Sequence, residues 1–226
     1  MLENVMVPIA SFSQHDPHYP AALHTYLGTR APQTLTVQGN LDILHTQGPR
    51  PLFALFCSIQ CPPAIILQTY ELAHALREAG VTVISGFHSP MEKECLSILL
   101  QGTQPVILCP ARSLQGLHLR KEWKQPLEQG QLLLLSPFAA EERRPTTNRA
   151  QDRNAVIAAL ADVLFIAHAA RGGKTEQFCR AVLGQGKQVL TLDLPDNAHL
   201  FALGISIIRP EHIGISGEIF AVDEED

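Results

Sequence analysis

The amino-acid sequence predicts an α/β fold: a Rossmann-like, doubly wound and mostly parallel sheet of about six to seven strands, with helices on both faces. Two observations lead to this prediction. Apolar runs such as residues 52–57 and 163–167 lack polar alternation, which is typical of strands buried on both faces. Segments with helical spacing separate these runs, so right-handed crossovers are expected to join strands that pair in parallel.

The predicted elements alternate from residue 52 onward, and Gly80 ends the first long helix, as glycine commonly does. Before that point the chain is rich in turn formers, with a short helix after Pro20 and a turn at residues 37–41. We predict strands at residues 52–57, 81–85, 104–109, 131–136, 163–167 and 188–193, and helices at residues 62–79, 90–100, 154–160 and 175–184.

These elements divide the chain into three predicted parts. Residues 1–50 are an N-terminal extension that packs on the core, residues 51–215 are the Rossmann-like domain, and residues 216–226 are an acidic C-terminal tail. At 226 residues and 46% hydrophobic content, the chain is long enough for one sizeable core.

The net charge of −5 excludes a protein that coats nucleic acid indiscriminately. The charge is unevenly distributed, however. Between Arg112 and Lys187 lie 12 of the 17 Lys and Arg residues against seven Asp and Glu, so that segment carries +5. The composition therefore allows a localised basic face.

Composition also bears on location and on metal binding. No apolar run approaches the ~20 residues that cross a bilayer, and the N-terminus lacks the pattern of a secretion signal. The five cysteines are scattered and odd in number, which is typical of reduced thiols, and only Cys57 and Cys61 are close together. We expect a cytoplasmic protein with no membrane partner, no metal and no cofactor.

The most informative segment is a glycine pair between a predicted strand and a predicted helix. Glycine loops expose backbone N–H groups, and a helix N-terminus adds a partial positive charge, so this arrangement is typical of an anion site. Arg171 and Lys174 add full charges beside Gly172, Gly173 and Thr175. Residues 173–175 also match the end of the triphosphate loop G-x-x-x-x-G-K-S/T, without its first glycine. A triphosphate hydrolase and a plain glycine turn are the alternatives to a phosphate-binding loop.

Other candidate residues follow predicted strands or begin a helix. Ligands of doubly wound sheets bind beyond the carboxyl ends of the strands, where Ser58, Ser85, Gly86 and Arg112 are expected. Arg149 and Arg153 lie four residues apart, so they share one helix face and are placed to meet successive phosphates; a solvated charged face is the alternative. We predict that Asn148 or Asp152 caps this helix.

The order of several fragments resembles the DprA/Smf family of DNA-processing proteins over about residues 19–210. Ser85-Gly86 stands where the S-G-x-A-x-G-I-D segment of the family begins. Arg153-Asn154 is similar to its R-N-R, and residues 172–175 are similar to its S-G-(S)-x-x-T-A loop. Tyr19-Pro20 and Gly39-Asn40-Leu41 look like its entry motifs.

The resemblance implies a Rossmann-like protein that binds single-stranded DNA, delivers a recombinase onto it during natural transformation and forms a homodimer, in a family whose members are not established as enzymes. Two departures affect the site. The family's G-S-R after the first strand is Cys57-Ser58-Ile59 here, and Ala155 replaces the second arginine of R-N-R.

The leading hypothesis is a non-enzymatic protein that binds single-stranded DNA, or a nucleotide, at the carboxyl edge of the sheet. No motif specifies a catalytic group, so no catalytic residue is predicted. One alternative is a nucleotide-binding enzyme or sensor similar to nucleoside monophosphate phosphoribohydrolases, and another is a degenerate scaffold that binds nothing. The predicted phosphate-binding residues are Ser58, Ser85, Gly86, Arg112, Arg149, Arg153, Asn154, Arg171, Gly172, Gly173, Lys174 and Thr175.

Overall fold

The computed structural model describes residues 7–44 and 50–214, together with Gly217 and Ile219. The described residues form strands β1 (Ile9–Ser13), β2 (Thr34–Gln38), β3 (Phe53–Cys57), β4 (Val83–Ser85), β5 (Val106–Leu108), β6 (Leu132–Ser136), β7 (Val163–His168), β8 (Gln188–Leu192) and β9 (Ser206–Ile208). They form helices α1 (Ala21–Leu27), α2 (Pro63–Glu78), α3 (Pro90–Leu99), α4 (Lys121–Glu128), α5 (Thr147–Leu160), α6 (Lys174–Leu183) and α7 (Ala198–Phe201).

The chain divides into two compact units. The first consists of Met1–Gln47 and Pro105–Leu160, and the second of Gly48–Gln104 and Ala161–Asp226. The predicted boundaries after residues 50 and 215 stay a prediction, and nearly all of the predicted acidic tail lies outside the described residues.

In the first unit the strand order is β1-β2-β6-β5. β1 pairs antiparallel with β2, β2 pairs antiparallel with β6, and β5 and β6 are parallel. The four leucines of β6 are fully buried, which explains their unbroken apolar run. Gly39 has φ 124°, and a Cβ there would lie 2.5 Å from the Leu132 carbonyl oxygen. Only glycine therefore allows the chain to leave β2 this close to β6.

In the second unit the strand order is β4-β3-β7-β8-β9, and every pairing is parallel. Phe53 and Phe165 are fully buried on neighbouring strands, and their rings stack with centroids 5.8 Å apart. The pairing of β3 with β7 shifts by one residue between Phe56 and Cys57, so that Cys57 lies opposite His168. This irregularity lies at the carboxyl end of both strands, where the chain enters the loops of the candidate site.

The predicted fold class is confirmed, and the strand count exceeds the prediction. The prediction missed β1 and β2, which fall in the segment that was read as turn-rich. β1 has no buried residue and is held by its antiparallel pairing with β2, so it carries no apolar signal in the sequence. The short β9 was also missed.

The structure shows that α5 begins at residue 147, and the Arg149 N–H donates to Thr146 Oγ1 at 3.2 Å. Thr146 thus supplies the side-chain cap that the sequence assigned to Asn148 or Asp152.

Candidate phosphate-binding site

The loop between β7 and α6, residues 169–173, requires both of its glycines. Gly172 has φ 66°, a left-handed conformation that glycine adopts without strain. The Gly173 N–H donates to the Ala170 carbonyl oxygen at 2.9 Å, and a Cβ on Gly173 would lie 2.8 Å from that same oxygen. The tight turn therefore excludes a side chain at the position that precedes α6.

The N-terminus of α6 presents unused backbone donors. Gly173 is the N-cap residue and supplies no side-chain hydrogen bond. The first helical bond runs from Gln177 N–H to the Gly173 carbonyl at 3.0 Å. Among the described residues, the backbone N–H groups of Lys174, Thr175 and Glu176 find no acceptor. Three orphan donors and the helix dipole together favour an anion at this end of α6.

Ser58 ties the end of β3 to this loop. Its hydroxyl donates to Thr175 Oγ1 at 3.1 Å and accepts from the Ala170 N–H at 3.1 Å. Its own N–H donates to the His168 carbonyl at 2.9 Å. Ser58 and Thr175 are far apart in sequence, and both were predicted as site residues. The structure brings them into direct contact, with their hydroxyls at the first turn of α6.

Two cations of the loop are unpaired. Arg171 and Lys174 are exposed, and neither side chain forms an ion pair or hydrogen bond within the described part of the chain. Glu176 is buried and accepts from the Gly172 N–H and from the Arg180 guanidinium, both at 2.7 Å. Arg180 foremost, and then the Gly172 N–H, hold the pKa of the Glu176 carboxyl below its usual range. The negative charge is thus neutralised internally, and the two free cations remain for a ligand.

A buried amide supports the loop from beneath. Asn197 is fully buried; its Nδ2 donates to the Ala167 carbonyl and to Thr191 Oγ1, each at 2.9 Å. Its Oδ1 lies 3.0 Å from His168 Nδ1, so this ring nitrogen is the donor of the pair. His199 Nε2 lies 2.8 Å from the Ala169 carbonyl. No sequence signal had marked Asn197, since a lone asparagine before a short helix has no distinctive spacing.

Ser85-Gly86 follows strand β4, and the polar groups around it form hydrogen bonds within the protein. The Ser85 hydroxyl donates to the Leu55 carbonyl at 2.7 Å and accepts from the Phe87 N–H at 3.2 Å. The Glu92 carboxylate, only 6% exposed, accepts from the N–H groups of Ser89 at 2.7 Å, His88 at 2.8 Å and Cys57 at 3.2 Å. The Glu92 carboxylate therefore already occupies three backbone donors near Ser85-Gly86, two residues that the sequence analysis placed among the phosphate-binding residues.

In the first unit, the predicted arginines make contacts within the protein. Arg153 is 6% exposed and donates to the Cys109 carbonyl at 3.0 Å and to Asn154 Oδ1 at 2.8 Å. Arg149 pairs with Glu142 at 2.9 Å, and Arg112 donates to the Gly116 carbonyl at 3.3 Å. Their roles in phosphate binding stay a prediction.

The structure thus places the twelve predicted residues in two groups. Those that follow β3, β4 and β7 belong to the second unit: Ser58, Ser85, Gly86, Arg171, Gly172, Gly173, Lys174 and Thr175. Those of the first unit are Arg112, Arg149, Arg153 and Asn154. Sequence reasoning missed Glu92 and Glu176 as acceptors, although each stands where a carboxylate can reach back to the loop before its helix.

Neither a metal site nor a membrane span is found in the described part of the chain. None of its helices is both long and apolar enough to cross a bilayer. No group of three or more His, Cys, Asp or Glu side chains there is placed to hold a metal ion.

An α/β protein with parallel strands, and with a glycine loop and an uncapped helix N-terminus at their carboxyl ends, belongs to the Rossmann-like fold class. The match to a family model is more specific and spans residues 11–203. The chain belongs to the DNA recombination-mediator protein A family.

Solved structures agree with this fold. DNA processing protein A (DprA) from Streptococcus pneumoniae is 22% identical with a TM-score of 0.72, and the match covers 89% of this chain and 71% of that one. DNA processing protein A from Helicobacter pylori, described for its single-stranded DNA binding mode, is 20% identical with a TM-score of 0.71, covering 88% and 90%. The molybdenum cofactor binding protein from Rippkaea orientalis is 15% identical with a TM-score of 0.51, covering 72% and 91%. Comparison with curated proteins produced no match.

Proposed function

We propose that this protein binds single-stranded DNA through backbone phosphates at the N-terminus of α6. The observation that carries the proposal is the coincidence of three backbone N–H groups and two exposed cations, Arg171 and Lys174, none of which has a partner among the residues that the structure describes. Phosphate oxygens accept from such donors, and a contact of this kind carries no sequence preference. Membership of the family and the activity of the Helicobacter pylori protein support DNA as the ligand.

The proposal assigns the remaining predicted residues by their contacts. Ser58 and Thr175 shape the first turn of α6, and Gly172 and Gly173 give the loop its path. Ser85, Arg153 and Asn154 position the backbone, since their side chains bond to groups within the protein. In the cell the protein acts in the cytoplasm as a homodimer and delivers a recombinase onto single strands during DNA uptake.

Removing both cations should weaken DNA binding more than removing two cations elsewhere. At ~0.1 M salt, the loss of two phosphate contacts on a single strand lowers affinity about 25-fold and reduces the log–log salt slope by about 1.4, because each contact releases about 0.7 counterion. We expect these changes for the double variant Arg171→Ala/Lys174→Ala, measured by fluorescence anisotropy of a labelled oligothymidine at several salt concentrations.

The matched control is Arg30→Ala/Lys121→Ala, which removes the same charge from two other exposed side chains. It should change affinity by less than about threefold, because a distant exposed charge is largely screened. Absence of DNA binding by the unmodified protein even at low salt, or equal losses in the two double variants, would show that the α6 site is not the DNA site.

A further inference from the structure

The turn between β3 and α2, residues 58–62, presents an apolar side chain to solvent. Ile59 is 71% exposed and Leu67 on α2 is 62% exposed, and these are the exposed large hydrophobic side chains in the described part of the second unit. A single exposed aliphatic residue is ordinary at a protein surface. What distinguishes Ile59 from Leu67 is its position directly beyond Ser58, a residue of the candidate site.

Ile59 follows a residue that is tied to the first turn of α6. The Ser58 N–H donates to the His168 carbonyl, and the Ser58 hydroxyl bonds to Thr175 Oγ1 and to the Ala170 N–H, all within 3.1 Å. Consecutive Cα atoms are ~3.8 Å apart. Because β3 and β7 are parallel, the turn and the loop before α6 leave the sheet at the same edge. Ile59 therefore lies one residue from a direct contact with the first turn of α6.

The turn is short and is anchored at both ends. Three hydrogen bonds hold Ser58 at its beginning. At its end, the Pro62-Pro63 pair fixes two φ angles, and the Pro62 carbonyl accepts from the Ile66 N–H at 3.1 Å as α2 begins. A side chain on an anchored segment loses less conformational freedom on binding than one on a loose loop. Ile59 is thus preorganised for a ligand that reaches α6.

The segment that carries Ile59 has no ionisable cation or carboxylate. No Asp, Glu, Lys, Arg or His lies between Arg50 and Glu71, so the turn and the first two turns of α2 supply no charge to a phosphate. The cations Arg171 and Lys174 belong to the loop before α6. The site therefore combines a cationic side with an apolar one. Single-stranded DNA matches both sides, because it carries phosphates together with unstacked base faces.

We propose that Ile59 contacts a base of single-stranded DNA beside the phosphate bound at α6, so that the site selects strands whose bases are open. The inference rests on the proposed function, because it places the base relative to that phosphate. Each base of a duplex is covered by its neighbours, whereas a base of a single strand offers its face to a side chain. Every base has such a face, so the contact selects the form of the nucleic acid and not its sequence.

Two labelled strands of equal length test the contact: oligothymidine, and an abasic strand that has the same phosphates but no bases. Ile59→Ala removes three carbon atoms that a base would cover in part, so we expect about fivefold weaker binding of oligothymidine. The affinity for the abasic strand should not change. Ile59→Phe should act in the opposite sense and tighten oligothymidine binding about threefold through stacking, again without an effect on the abasic strand. Fluorescence anisotropy at one low salt concentration measures all of these affinities.

The matched control is Leu67→Ala, which removes the same number of carbon atoms from an exposed side chain in the second turn of α2. It should leave the affinity for both strands unchanged. Urea unfolding should give the wild-type midpoint for Ile59→Ala, Ile59→Phe and Leu67→Ala, because exposed side chains contribute little to stability. A change in affinity for Ile59→Ala then reports on the ligand and not on folding.

Several outcomes overturn the base contact: equal oligothymidine affinity for the wild type and Ile59→Ala, an equal loss with both strands, or a loss of the same size for Leu67→Ala. Conversion of a dimer to a monomer by Ile59→Ala, seen by sedimentation, also overturns it, because Ile59 then contacts a second copy. If the wild type binds the abasic strand as tightly as oligothymidine, phosphate binding stands and the base contact fails. If it binds neither strand, the proposed function and the inference fail together.

Discussion

Replacing Glu92 by alanine is expected to lower the free energy of unfolding by about 3 kcal/mol. The carboxylate accepts from the N–H groups of Cys57, His88 and Ser89 and lies in a buried position. Alanine leaves these donors without an acceptor, and each unsatisfied buried donor costs about 1–3 kcal/mol. The variant Glu92→Gln should lose an intermediate amount of stability. Its amide oxygen still accepts from the N–H groups, but its NH2 group replaces the second acceptor oxygen with a donor.

Urea unfolding followed by circular dichroism measures this loss as a lower midpoint at an unchanged slope. The matched control is Glu94→Ala, an exposed carboxylate on the same helix, which should stay within about 0.5 kcal/mol of the wild type. Equal midpoints for Glu92→Ala and Glu94→Ala would mean that the three bonds contribute no net stability. A large loss of stability would also show that the Glu92 carboxylate is the acceptor for these three N–H groups.

Replacing Asn197 by alanine is expected to cost about 2–3 kcal/mol of stability and to weaken DNA binding as well. The amide satisfies the Ala167 carbonyl, Thr191 Oγ1 and His168 Nδ1 without access to water. Alanine removes all three bonds and leaves a cavity beside the end of β7. The loop that carries Arg171 then loses its support, so the orphan donors of α6 become less well placed for a phosphate.

The variant Asn197→Asp separates hydrogen bonding from packing. It keeps the volume and the acceptor for His168 but brings a carboxylate oxygen against the Ala167 carbonyl, so we expect it to be as destabilised as Asn197→Ala. Thermal unfolding and oligothymidine anisotropy are the two measurements, with the exposed neighbour Asp196→Ala as control. Wild-type stability for Asn197→Asp would exclude a contribution from the bonds to Ala167 and Thr191.

The central part of the fold was predictable because its signals are local. Buried parallel strands such as β3 and β7 need apolar residues on both faces, and the sequence shows this directly. β1 carries no such signal, since its five residues contain serine and phenylalanine in alternation and none is buried. Its place is decided by a long-range pairing with β2, which a local pattern does not report.

The residues of the candidate site were predictable where their signal is local in the sequence, but their hydrogen-bond partners were not. A glycine pair with neighbouring cations identified the loop before α6, and the rule for carboxyl ends of parallel strands identified Ser58 as its neighbour. The sequence did not show that Glu92 satisfies the donors near Ser85-Gly86, or that Arg153 is buried against the Cys109 carbonyl. Whether a charged residue meets solvent or a backbone group depends on atoms that are distant in sequence.

The sequence by itself determined the α/β class, the helices and strands of the second unit apart from α7 and β9, and the glycine loop before α6, because apolar periodicity and glycine are local properties of a chain. Tertiary structure alone decided which donors remain free. Two glycine-bearing strand ends looked alike in sequence, yet the Glu92 carboxylate satisfies three donors near one of them. At the N-terminus of α6, beside Arg171 and Lys174, three donors have no acceptor among the described residues. The physical reason is that a backbone N–H is available to a ligand only where the fold brings no acceptor to it.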